Sequence, residues 1–70
     1  MAGEGFAHYR LEDFKVGDRV RHIIMNEVGM VSAVGDTVDV VYDRKDKKGI
    51  PWSGRYDRNW FKQVGLLVKV

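Results

Sequence analysis

The chain of 70 residues contains no cysteine, so disulfides cannot staple it and a cysteine-based zinc site is excluded. It has one proline, Pro51. No apolar run approaches the ~20 residues that a membrane-spanning helix needs. The first five residues, Met1-Ala2-Gly3-Glu4-Gly5, have neither a basic stretch nor an apolar one, so no signal peptide is expected and a cytoplasmic location is. Two histidines, His8 and His22, stand without the spacing of a metal site, and no cofactor is expected. Gly-x-x-x-x-Gly-Lys, the phosphate-cradling loop, does not occur. Ser32, Ser53 and Thr37 have no adjacent histidine to activate them. The acid pairs Asp36/Asp39 and Asp43/Asp46 fall on turns and outer faces. A chain this short buries only about 60% of its unfolded surface, which leaves little room for a cleft. An enzyme acting alone is not expected.

What is present is a pattern of short strands. Residues 1–13 read as a tail or arm, 14–70 as one domain. From Phe6 to Phe14 the apolar residues keep no period, and one helical turn or an arm closing over the domain both fit. Lys15-Val16-Gly17-Asp18 reads as a turn. In residues 19–24, Val20, His22 and Ile24 share one face and Arg19, Arg21 and Ile23 the other. Asn26-Glu27 suits a turn, because asparagine tolerates the left-handed region. Residues 28–34 form a second strand, with a bulge or bend expected at Gly29. After a turn at Gly35-Asp36-Thr37, residues 38–43 alternate cleanly, Val38, Val40 and Tyr42 against Asp39, Val41 and Asp43.

Arg44 to Gly49 reads as a charged loop, and residues 50–56 as a fourth strand with Pro51 near its start. Asp57 or Asn59 caps one helical turn ended by Gly65, and residues 66–70 close the chain. Five strands at about ten-residue spacing predict an all-β fold, a five-stranded small barrel with a short turn of helix before the last strand.

Charge is unevenly spread. The chain has 12 basic and 10 acidic residues, a net of +2, yet residues 44–62 hold seven cations against Asp46 and Asp57. Aromatics are interleaved with them: Trp52, Tyr56, Trp60 and Phe61, with Tyr42 just ahead. Single-stranded nucleic acid is held by such a mixture, since rings stack on bases while cations follow phosphates. The candidate binding residues are Arg44, Lys45, Lys47, Lys48, Trp52, Arg55, Tyr56 and Arg58. Trp52, beside Pro51 and Gly54, is expected to be exposed, and Trp60 mostly buried. A solvated loop with no ligand is the plainer reading of the same lysines, and His22 reads as a half-buried structural histidine.

Phe14-Lys15-Val16-Gly17-Asp18-Arg19-Val20-Arg21-His22, followed by Gly29, Val31, Gly35-Asp36, Val38, Val40 and Tyr42, resembles small barrels of the SH3/Tudor/KOW type. In particular it is similar to the Tudor-like C-terminal domain of superfamily-1 bacterial DNA repair helicases over residues 14–43. Met25 and Asn26 stand where that family has an aromatic and a glycine, and one residue is inserted before Gly29. The resemblance implies fold more than function, because such barrels host unrelated tasks.

Gly17-Asp18-Arg19-Val20-Arg21 also resembles a stretch of the plasmid-borne type II dihydrofolate reductases. Their Val-Gln-Ile-Tyr pore segment has no counterpart here, so an oligomeric pore enzyme is a remote alternative. The sequence thus predicts a non-enzymatic binding module, monomer or small homo-oligomer, with nucleic acid as partner. The alternative is a protein-docking adaptor on a larger enzyme such as a polymerase, and an accessory role on a phage, plasmid or gene cassette suits either.

Overall fold

A computed structural model describes residues 9–70; Phe6 and His8 lie outside the described residues. Five strands form one antiparallel sheet: β1 (Arg19–His22), β2 (Glu27–Val34), β3 (Thr37–Lys45), β4 (Pro51–Asp57) and β5 (Leu67–Lys69), in the order β4-β3-β2-β1-β5. A short helix, α1 (Arg58–Gln63), sits between β4 and β5. One 3₁₀ turn, Leu11–Asp13, precedes the sheet. The fold is all-β, with its helix before the last strand, and is compatible with a small barrel-like wrap.

Alternation builds the core. Val20, Val31, Val38, Val40, Tyr42 and Leu67 point to one side of the sheet and are buried there with Leu11, Phe14 and Phe61. Leu11 belongs to the segment read as an arm, and the 3₁₀ turn folds its side chain into this core. Such burial is the main favourable contribution to folding. Lys69 crosses the end of the core, its ammonium 3.4 Å from Asp18 and within 6 Å of the rings of Tyr9 and Phe14.

Local chemistry sets the ends of these elements. Asp18 accepts the Lys15 amide at 2.9 Å, closing the first turn around Gly17 at φ +97°. This backbone bond and the Lys69 ammonium hold the Asp18 carboxyl below the usual carboxylate range. The Asp57 side chain accepts the Trp60 amide at 2.8 Å and so caps α1.

Three expectations change. β1 stops at His22, whose carbonyl accepts the Asn26 amide at 2.7 Å in a turn with Asn26 at φ +55°. Ile24 therefore leaves the strand face and is 72% exposed. Gly29 keeps regular register opposite Tyr42, and the bulge falls at Ser32, between the Val31–Val40 and Ala33–Asp39 pairs. β3 extends to Lys45, so Arg44 and Lys45 are strand residues and the connecting loop is confined to residues 46–50.

Candidate nucleic-acid interface

The β3–β4 hairpin is built around its aspartate. One Asp46 carboxylate oxygen accepts the amides of Lys48 (2.8 Å) and Ile50 (2.9 Å), and the Asp46 amide donates to the Ile50 carbonyl (2.9 Å). Gly49, at φ +83°, supplies the left-handed residue that this turn requires. The loop is thus a hydrogen-bonded tip that carries Lys47 and Lys48 outward. Residues 42–44 of β3 stand opposite Trp52 alone, between the Val41–Ser53 and Lys45–Pro51 pairs. That irregularity bends the hairpin where Trp52 emerges.

Next to the tip of the hairpin, Trp52 is 42% exposed, as its Pro51 and Gly54 neighbours suggested. The Arg44 guanidinium lies 4.5 Å from the centre of the Trp52 ring and donates to Glu27 at 2.9 Å. Arg44 therefore braces one face of the ring in a cation–π contact and is itself anchored by a carboxylate on β2.

The cations of the sequence-defined stretch divide sharply. Arg55 makes a two-pronged contact with Asp39 (3.1 and 3.3 Å) on the outer face of the sheet. Asp39 is held below the usual carboxylate range by the Thr37 hydroxyl first and by Arg55 second. Arg58 pairs with Glu12 of the 3₁₀ turn. Lys45, Lys47 and Lys48, and Lys62 on α1, are exposed and pair with no acid among the described residues. The candidate stretch contracts from 44–62 to the hairpin, with Arg44, Lys45, Lys47, Lys48 and Trp52 together and Arg55 and Arg58 elsewhere. Sequence reasoning missed Glu27, Asp39 and Glu12 as partners. For Asp39 a signal existed, since hairpin register sets it opposite Arg55.

Tyr56 stands apart from the hairpin tip, partly buried against the core. Its hydroxyl lies 2.6 Å from that of Tyr42, and its ring packs on Trp60 with centroids 4.3 Å apart. Burial, followed by this contact, pushes the Tyr42 phenol far above its usual range. Trp60 is partly buried against the core, where it lies over Tyr56 and His22, while its neighbour Phe61 is fully buried within it. In a single helical turn adjacent side chains diverge, so only one of the two can point inward.

His22 completes this aromatic cluster. Its Nδ1 accepts the Met25 amide at 3.2 Å, and burial holds the imidazole below its usual pKa. A protonated ring has no acceptor to offer that amide. Because the folded-state value is depressed, the contribution is complete above about pH 6.5 and is lost as pH falls through the folded value. Thermal melts between about pH 7.5 and about pH 5 should show a decline that His22→Phe flattens. An equal decline in that variant would place the titration elsewhere.

Among the described residues no three His, Asp or Glu side chains group as a metal site, and no helix is long and apolar enough to cross a membrane. No protein-family model, no curated protein and no solved structure matches the chain.

Proposed function

We propose that this protein is a non-enzymatic binding module, built on an SH3/Tudor-like barrel, that holds single-stranded nucleic acid with its β3–β4 hairpin. The observation that carries this reading is the contrast between cations. Arg19, Arg44, Arg55 and Arg58 each have a carboxylate partner, whereas Lys45, Lys47 and Lys48 have none among the described residues and, unlike the unpaired Arg21 and Lys62, cluster beside the exposed Trp52. Unpaired lysines on a hydrogen-bonded tip are free to replace counterions along a phosphate chain. With Arg44 on one face of Trp52, the opposite face is the one on which a base stacks.

The test is titration of a fluorescent oligothymidylate at several salt concentrations. Three phosphate contacts to a single strand give a log–log salt slope of about −2. Replacing the three lysines with alanine should bring that slope close to zero and leave the melting temperature unchanged, since exposed charges contribute little to stability. Trp52→Ala should weaken binding by ~1–3 kcal/mol while keeping the slope. Absence of binding at low salt to oligothymidylate and to mixed-sequence RNA would remove this reading. The adaptor reading would take its place if one protein stayed bound to the immobilised chain after nuclease treatment of the lysate.

A further inference from the structure

The outer face of the sheet, opposite the core, carries an arrangement that hairpin binding does not use. Register places Arg19 (β1), Met30 (β2), Val41 (β3) and Ser53 (β4) in one row across four strands. Met30 and Val41 are direct cross-strand partners at the centre of that row, 43% and 40% exposed. Two ion pairs flank them: Arg19 with Asp43 (2.7 Å) and Arg55 with Asp39 (3.1 Å). A groove of about 430 Å³ runs beside Val41, with Ser32, Asp39, Ser53 and Arg55 in its walls. An apolar centre within a rim of arginines and polar groups is the anatomy of a protein interface.

We infer that this face binds a second copy of the chain, sheet against sheet, about a two-fold axis parallel to the strands and between β2 and β3. Two features point to that occupant. The first is charge: around the Met30–Val41 pair lie two arginines and two aspartates, each arginine chelated by an aspartate, with Arg21 exposed further along β1. Two such centres meet without net repulsion. The second is self-complementarity, which a two-fold interface demands. About that axis Met30 meets Val41 of the partner subunit, and Val41 meets Met30 of the partner subunit. Arg19 is brought to Ser53 of the partner subunit, and Met30 enters the groove beside Val41 of the partner subunit. The hairpin lysines lie beyond the row at the loop end of β3 and β4, so pairing through this face leaves both hairpins open.

Sedimentation equilibrium of the full chain, from low micromolar to near-millimolar concentration, tests this. The expected result is a concentration-dependent dimer that Met30→Glu and Val41→Glu each weaken by about tenfold or more. Their melting temperatures at low concentration should stay near the wild type, because both side chains are exposed. Chemical-shift changes on dilution of the wild type should centre on Met30, Val41, Ser53 and Arg19, which needs no variant to fold. A monomer at every concentration overturns the inference. So does a dimer that both glutamates leave intact, or one whose dilution shifts fall on the β4 edge or the hairpin. Oligonucleotide titration of Met30→Glu separates the two proposals, since it reports on the hairpin alone.

Discussion

Gly29→Ala is expected to unfold much of the protein at room temperature. A Cβ on Gly29 would lie 2.5 Å from the Val41 carbonyl oxygen, 2.9 Å from the Tyr42 Cα and 2.9 Å from Val40 Cγ1. Two of these three atoms belong to the backbone of β3 and cannot rotate away. Relief requires β3 to separate from β2, the central strand of the sheet. Overpacking of this kind costs about 1–3 kcal/mol, more where backbone must move. A core of this size supplies about 3–5 kcal/mol in total, so the loss is a large share. Gly35→Ala is the control, for a Cβ there meets nothing within 4 Å. Urea denaturation should place Gly29→Ala far below the wild type and Gly35→Ala within about 0.5 kcal/mol of it. Equal midpoints for the two would mean that Gly29 does not sit opposite Tyr42.

The second large effect separates two adjacent rings. Phe61 is buried in the core, 5.4 Å from Phe14 between ring centres, and Trp60 is partly buried on Tyr56. Phe61→Ala should cost ~3–5 kcal/mol and leave the chain largely unfolded. Trp60→Ala forfeits an aromatic pair and part of its area, about half that cost, and should leave a folded but weakened protein. Circular dichroism melts of the two variants rank them directly. The opposite order would show that α1 is rotated by one residue from the arrangement described above. By sequence alone Trp60, the larger ring, is the natural core candidate; helix phase relative to β4 reverses that choice. The Asp57 cap fixes where α1 begins and hence which ring faces Phe14.

Strand positions were legible because their causes are local. Val38, Val40 and Tyr42 alternate with Asp39, Val41 and Asp43, and only an extended chain buries the first set while wetting the second. Gly17, Asn26, Gly49 and Gly65 adopt positive φ at the turns, which these residues tolerate. The Asp57 cap and exposed Trp52 were readable from immediate neighbours. β3 ran two residues past its expected end because pairing with β4 resumes at Lys45–Pro51, and pairing is not a property of one strand.

Composition alone shows that residues 44–62 are rich in cations and rings. It does not show which cations remain available, because neutralising partners come from far along the chain. Arg55 meets an acid 16 residues away, Arg44 one 17 away and Arg58 one 46 away. Only the antiparallel register and the placement of the 3₁₀ turn against α1 bring those carboxylates within reach. For Gly29 the sequence offered a bend. The requirement turned out to be the close approach of β3, a distance between strands that no pattern along one strand encodes. The order of residues determined the strands, turns and helix cap. Packing of distant segments decided which lysines stand unpaired, which ring is buried and why a glycine lies at the centre of the sheet.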